Sequence, residues 1–424
     1  MITTLEMDAV RAHLARRQDV SQQLMDVLER VEPVFQIQSP HAPALVCIGG
    51  LVGVEGNAAA AISASSFSTT GNGLSLDQAL VSCLGEAAEI LSQFERPGDI
   101  VSLPQDAQPQ LASGWVGEIL ATISRCHDRV LGIDWVFGHD PVMKTAVLVP
   151  ADLCLRRVPA HRAFPVVSAM SSGAAASANW VGAAERAVLE LVERDAAALW
   201  WFGARKPAYF RHDDAAGMES CLLLHHLRAG QTNRISVLLD LTTDLGIPVV
   251  AACSYDTDGF DLACGVAARL DRVSAARAAI LEMAQMELST HIARLKRQQR
   301  GEASLNEADR RHLERATLCV PPCALFETRA PVDTVRGVAS VDRSDDARDI
   351  LEPHTAPQLV FDLAKRQISV VLVDHSRRDI GIPVVRALSA QLQPFSPMVT
   401  TERLKDMLAK TGGGARHHGG VLPF

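Results

Sequence analysis

Two stretches far apart in this chain are versions of one another, and that duplication restricts the fold more than any other feature of the sequence. Ala79, Ser82, Glu86 and Glu89 align with Ala183, Arg186, Glu190 and Glu193, giving the shared spacing A-x2-[S/R]-x3-E-x2-E. Residues three and four apart share a helix face, so Ser82, Glu86 and Glu89 project together, as do Glu190 and Glu193. The opposite stripe is apolar, with Leu80, Leu84 and Leu91 in one copy and Val188, Leu191 and Val192 in the other. Each copy is predicted to be an amphipathic helix with a carboxylate pair on its polar face.

A single Glu-x-x-Glu pair is ordinarily a solvated surface feature. Two pairs facing each other across an internal pseudo-axis bring four carboxylates together, and such like charges raise each other's pKa values unless a cation shares the site. All-oxygen ligands suit a hard ion. Magnesium takes few protein carboxylates and leaves its other positions to water and phosphate. The residues thus lead to the expectation of a magnesium–nucleotide site whose metal ligands are Glu86, Glu89, Glu190 and Glu193.

Four segments in series resemble the YcaO family. The first is G-x-G-x-S-x3-A-x2-S-x3-E-x2-E, beginning at Gly71, and the second is SSGAAASANWVGAAERAVLELVERDAAALWW, Ser171 to Trp201. The third is GVAARLDRVSAARAAILEMAQ, Gly265 to Gln285, and the fourth VVLVDHSRRDIGIPVVRALS, Val370 to Ser389. The resemblance implies an α/β (α+β) fold of repeated Glu-x-x-Glu helices packed on mixed sheets, binding ATP without a P-loop. It implies nucleotide contacts from Ser82, Glu86, Glu89, Glu190, Glu193, Arg194, Arg277 and Gln285, with Mg2+ on the four glutamates. Arg194 is expected to contact phosphate, and Glu282 to bind metal or orient substrate. Three positions depart from the family pattern. Asn72 stands where lysine is common, Ser177-Ala178 replaces Gly-Asn, and Gly182 replaces an acidic residue.

The rest of the chain is consistent with a large globular enzyme. Its 424 residues, 48% hydrophobic and 21% charged, bury a sizeable core. A net charge of −8 and a pI near 6.0 argue against a general nucleic-acid binder. No apolar run is long enough to span a bilayer and the N-terminus lacks a signal-peptide core, so a cytoplasmic location is expected. Nine scattered cysteines suit free thiols in a reducing compartment. Cys319 and Cys323 have the spacing of half a zinc site without a second half. Cys126-His127, lacking an orienting carboxylate, and His225-His226 are read as structural.

The expected organisation is an N-terminal helical arm and first strand over 1–60, a catalytic domain over 61–410 and a flexible tail over 411–424. Strands are predicted near Ala44 to Val54, Ala58 to Ser68, Val130 to Phe137 and Thr145 to Leu153, and helices near Gly117 to His127 and Ser220 to Gly230. Gly71-Asn72-Gly73 reads as a turn with Ser75 as the following N-cap. Near-identical hexapeptides, Leu245-Gly-Ile-Pro-Val-Val250 and Ile380-Gly-Ile-Pro-Val-Val385, each predict a turn entering a strand of one core. Lys296 to Arg315 reads as an exposed helical connection or a mobile insertion, and Asp333 to Asp349 as a polar, partly loop-like region. Trp200 and Trp201 are expected in the core.

By resemblance, the activity is ATP-dependent cyclodehydration of Cys, Ser or Thr in a ribosomally made precursor peptide, as in thiazole/oxazole-modified microcin biosynthesis. The tail ends in Leu-Pro-Phe, which places the Phe424 carboxylate as a general base in the family's manner. Expected partners are the precursor peptide, a leader-binding scaffold of the ubiquitin-activating type and a flavin-dependent azoline dehydrogenase, within an oligomeric synthetase. The N-terminal arm and Lys296 to Arg315 are candidate docking surfaces for them. Thioamide or amidine formation uses the same ATP activation, and a non-catalytic scaffold would keep the fold, so the site pattern leaves these alternatives open.

Overall fold

The computed structural model describes residues 2–16, 22–53, 67–101, 117–118, 121, 132–163, 172–318, 327–328, 356–396 and 399–412. Three sheets carry the architecture. In the first, β1 (Ile2–Thr4), β2 (Val31–Gln38), β3 (Val46–Val52) and β4 (Phe67–Gly73) lie antiparallel in chain order, with α1 (Met7–Ala15) and α2 (Gln22–Leu28) between β1 and β2. Helix α3 (Leu76–Ser92) follows β4. The second sheet contains β5 (Trp135–Asp140), β6 (Thr145–Pro150) and β7 (Ala174–Ala176), and β7 leads into α4 (Trp180–Trp201).

The third sheet is formed by β8 (Ala208–Tyr209), β9 (Arg234–Asp240), β10 (Val249–Asp256) and β11 (Ala263–Ala268), with α5 (Ala215–Arg228) between β8 and β9. The long α6 (Arg272–Arg300) follows β11, and α7 (Glu307–Arg315) and α8 (Gln358–Ala364) come next. Then β12 (Val371–Asp374) and β13 (Val384–Leu388) return to the second sheet, whose order is β6-β5-β12-β13-β7, before α9 (Glu402–Thr411).

Strands β4, β7 and β11 are each the edge of their own sheet, and each is followed at once by a long helix. The helices fill the gaps between sheets. Helix α3 packs Leu80, Leu84, Ala87 and Leu91 between the first sheet and Ala176 and Val384 of the second. Helix α4 packs Ala184, Val188, Val192 and Trp200 between the second and third sheets. Helix α6 packs Ala276, Ala279, Ile280 and Met283 between the third sheet and Ile37 and Cys47 of the first. The arrangement therefore closes on itself as a pseudo-threefold ring of sheet, helix, sheet, helix, sheet and helix. The mixed α/β class with helices packed on sheets follows the expectation, but three units form the repeat rather than two.

The close approach of strand and helix has a clear cause. A Cβ on Gly71 of β4 would stand 2.1 Å from Ala79 O and 2.3 Å from Cys83 N of α3, and one on Gly265 of β11 would stand 2.4 Å from Ala279 O and 2.3 Å from Met283 N of α6. Only glycine admits helix backbone at that range.

Several local expectations are corrected. Helices α1 and α2 exist, but strands flank them, because Val31, Val34 and Ile37 bury on a sheet in which β3 pairs with β4. Gly71-Asn72-Gly73 is the end of an edge strand paired with Val46 to Ile48 rather than a turn. The hexapeptides occupy equivalent places, entering β10 beside β11 and β13 beside β7, yet in two different sheets. Gly246 and Gly381 share a φ of 71° there, which glycine alone adopts freely. Lys296 to Arg315 is the exposed helical connection of the expectation rather than a mobile insertion. Helix α6 runs on to Arg300, Lys296 donates to Asp309 at 2.9 Å, and buried Arg315 donates to Leu262 O at 3.3 Å. His225 and His226 are exposed, whereas Trp200 and Trp201 are buried, as expected.

The predicted helix beyond 121, Cys126-His127, Cys319 and Cys323, 333–349 and the tail with Phe424 lie outside the described residues. Among the described residues no helix is long and apolar enough to cross a membrane. Gly71→Ala and Gly265→Ala are each expected to cost about 1–3 kcal/mol by overpacking the strand–helix contact. Urea unfolding measures this, and an unchanged midpoint would contradict the packing described.

Candidate active site

The three helices begin alike. Ser75 accepts from Gln78 N, Asn179 from Gly182 N and Asp271 from Ser274 N, each side chain satisfying an otherwise orphaned helix N–H. From each cap runs one pattern, [S/N/D]-x3-A-x6-E-x2-[E/Q], through Ala79, Glu86 and Glu89, through Ala183, Glu190 and Glu193, and through Ala275, Glu282 and Gln285. The third copy was legible in the sequence once the cap and the alanine were included in the alignment.

The carboxylates are spent on sheet edges. An edge strand leaves backbone N–H groups without a ladder partner, and the first glutamate of each E-x2-[E/Q] pair accepts from its own strand or just before it. Thr70 N donates to Glu86 Oε2 at 2.8 Å, Gly173 N to Glu190 Oε2 at 2.9 Å and Val266 N to Glu282 Oε2 at 3.1 Å. The second residue reaches the next unit. Ala176 N donates to Glu89 Oε1 at 2.7 Å, and Ala268 N to Glu193 Oε2 at 3.2 Å. Gln285 completes the cycle by donating from Nε2 to Thr70 Oγ1 at 3.0 Å while its Oε1 accepts from Asn72 Nδ2. Asn72, Ala176 and Ala268 each stand three residues before a cap, so Asn72 occupies the third equivalent corner. In this chain an amide pair closes the corner, and that gives Asn72 a structural reason.

Burial governs the ring's ionisation. Desolvation pushes Glu89 up to about 8 against the bond from Ala176, with repulsion from Glu190 and Glu86 adding to it. Glu193 is likewise pushed up to about 8 by desolvation, against the attraction of Arg194 and with Glu282 and Glu190 adding repulsion. Burial also raises Glu86 and Glu282. Arg194 sits 3.5 Å from Glu190 and 3.4 Å from Glu193. Burial disfavours its charge, yet Glu193, Glu190 and Glu282 hold its pKa above the ordinary arginine value.

Among the described residues no three His, Cys, Asp or Glu side chains already stand close enough to hold a metal. The donor set nevertheless fits a hard cation. Glu86 accepts from Thr70 N and Oγ1 through Oε2 and is also hydrogen-bonded by Thr69, and Glu89 accepts from Ala176 N through Oε1. Ser82 and Arg277 are exposed on α3 and α6 and take no part in the ring's hydrogen bonds.

Two arginines were missed by sequence reasoning. Burial lowers the pKa of half-buried Arg156 and of buried Arg386 on β13, against the attraction of Glu86 for the first and of Glu190 for the second. No spacing in the sequence brings residues 156 and 386 to the ring. Gly182 is also explained, since a Cβ there would stand 2.7 Å from Ser177 Oγ. The serine at 177 and the glycine at 182 are thus one packing solution.

A family model described as YcaO cyclodehydratase, ATP- and Mg2+-binding, matches residues 70–393. The chain belongs to the YcaO family. Among solved structures, a "Heterocyclase in complex with substrate and Cofactor" matches with TM-score 0.65 and 18% identity, over 95% of this chain and 57% of that one. This YcaO chain thus spans little more than half of that heterocyclase. YcaO from Methanopyrus kandleri, bound with AMPPCP and Mg2+, matches with TM-score 0.57 and 19% identity over 92% and 91% of the two chains. A chain of the E. coli microcin synthetase McbBCD complex matches with TM-score 0.58 and 12% identity over 84% and 88%. These likenesses establish the fold. No curated protein matches the chain. Family membership makes ATP and Mg2+ the ligands with which the acidic ring is to be tested.

Between the ordinary glutamate value of 4.5 and about 8, the folded protein keeps protons on Glu89 and Glu193 that the unfolded chain has released. Raising pH through that window therefore lowers stability. Ligand-free protein is expected to unfold at lower urea concentration at pH 8.5 than at pH 6, and Glu89→Gln to flatten the dependence. A stability that climbs with pH across this range would refute the raised values.

Proposed function

We propose that this protein is an ATP- and Mg2+-dependent cyclodehydratase that converts Cys, Ser or Thr of a ribosomally made precursor peptide to thiazoline or oxazoline. The observation that carries the reading is the closed ring of Glu86, Glu89, Glu190, Glu193, Glu282 and Gln285, with Arg194 inserted among its carboxylates. A ring of half-neutralised carboxylates is costly as structure alone, and a hard cation offsets that cost.

ATP, as substrate, supplies the phosphoryl group that makes a peptide oxygen a leaving group. The remaining work falls to alignment and charge. Glu86, Glu89, Glu190 and Glu193 hold the cation, Ser82, Arg277 and Gln285 contact the nucleotide, and Arg194 neutralises phosphate. Glu282 orients substrate or metal. The nucleophile is the substrate's own thiol or hydroxyl, so the enzyme needs none. The expected assembly includes a leader-binding scaffold of the ubiquitin-activating type and a flavin-dependent azoline dehydrogenase.

Mass spectrometry of a precursor peptide incubated with this protein, its scaffold partner, ATP and Mg2+ provides the test. The expected result is an ATP-dependent loss of about one water mass per modified residue, reduced at least about a hundredfold in rate by Glu86→Ala or Glu190→Ala. A gain matching oxygen-to-sulfur exchange would replace the reading with thioamide formation. Unchanged peptide with ATP still bound would replace it with a non-catalytic scaffold.

A further inference from the structure

Beside the carboxylate ring lies a pocket that shares Arg194 with it. Its lining adds Arg386 and the apolar walls of Leu191, Leu388, Leu392 and Val399, around a small cavity of about 60 Å3. One wall is firmly built. The side chain of fully buried Gln393 donates to Pro394 O at 2.8 Å and Val399 O at 2.7 Å, and accepts from Thr401 N and Oγ1 at 2.9 Å each. Gln393 N donates to Asp195 Oδ1 at 2.9 Å, which ties the wall to α4 and hence to the helix that carries Arg194. A pocket stitched in this way is preorganised and loses little entropy on binding.

The chemistry of the lining narrows the occupant. Among the described residues its only charged side chains are two guanidiniums, so it offers a cation no ligand of its own. Its walls are mostly apolar, so a bare polyanion would lose hydration there without adequate replacement. A neutral group with one oxygen that gains negative charge, flanked by a small apolar side chain, satisfies both conditions. A peptide carbonyl and its residue have that character. Since Arg194 also pairs with Glu190 and Glu193, a carbonyl on its pocket side is one side chain away from the ring.

We infer that this pocket is the acceptor subsite, which takes the residue preceding the modified Cys, Ser or Thr of an extended peptide. Its side chain lies against Leu191, Leu388, Leu392 and Val399, and its carbonyl oxygen on the Arg194–Arg386 side. The inference rests on the cyclodehydratase reading and adds a size filter to it. Arg386 then meets the oxygen as its charge develops.

Saturation-transfer NMR on the full chain with Mg2+ and a non-hydrolysable ATP analogue tests this, using synthetic acetyl-Gly-Xaa-Cys-Gly-amide peptides with Xaa as Gly, Ala, Val, Leu, Phe or Glu. Transfer to the Xaa side chain is expected to be strongest for Ala and Val. Ala390→Trp, which fills the pocket from its half-buried wall, should cut the peptide signal at least about fivefold while the nucleotide signal persists as proof of folding. Leu191→Ala should move the preference toward Leu and Phe. Peptide signals that are indifferent to Xaa and to both variants, or absent while the nucleotide signal is present, would overturn the subsite. Pocket binding without ATP-dependent water loss would remove cyclodehydration and keep the subsite; water loss indifferent to Xaa and to Leu191→Ala would do the reverse.

Discussion

The structure depends on one interaction made repeatedly, a helix carboxylate accepting a backbone N–H from the edge of a sheet. Three sheets end in β4, β7 and β11, and an unsatisfied edge buried between elements costs about 1–3 kcal/mol per group. Glutamates supply the missing acceptors without adding strands. Those glutamates are buried in turn, and burial raises their pKa values. A protonated carboxyl still accepts through one oxygen, so the fold closes whether or not the ring is ionised. The groups that complete the sheets are therefore also the groups that a hard cation would ionise.

The ring is not evenly charged. Glu89 and Glu190 meet at one interface, and Glu193 and Glu282, with Arg194 beside them, at the next. At the third, Gln285 and Asn72 replace charge by an amide pair, with Thr70 bridging to Glu86. Charge thus concentrates around α4, which also packs between two sheets over nearly its whole surface. Its alanines allow that approach. Arg156, stacked over Phe67 of β4, and Arg386 of β13 place opposing charge within electrostatic range of Glu86 and Glu190 respectively.

A second network, anchored on buried Asp195, holds the same helix just after its glutamates. Asp195, fully buried, accepts from Arg403 Nε at 3.0 Å, and Arg403 also pairs with Asp244 at 2.8 Å. Helix α9 and the loop behind β13 are thereby fixed to α4 directly after its glutamates. Losing one member of such a pair leaves a buried charge without compensation, which explains why the polar contacts around α4 come as a closed set.

The amino-acid sequence by itself determined the repeated helices, their caps, the Glu-x-x-Glu spacing and the apolar stripes, because helix periodicity and capping act over a few residues. The same local rules located Trp200 and Trp201 in the core and the two Gly-Ile-Pro-Val-Val turns at strand entries. Only the tertiary structure decided that Gly71-Asn72-Gly73 is an edge strand, that the hexapeptides serve different sheets, and that the polar helix faces turn inward onto strand N–H groups. It also decided that Asn72 answers Gln285 and that Arg386, from nearly the far end of the chain, lines a pocket together with Arg194. Periodicity says which side of a helix is polar. Whether that side meets water or the unpaired edge of a sheet depends on contacts between residues remote in sequence, and no local pattern encodes them.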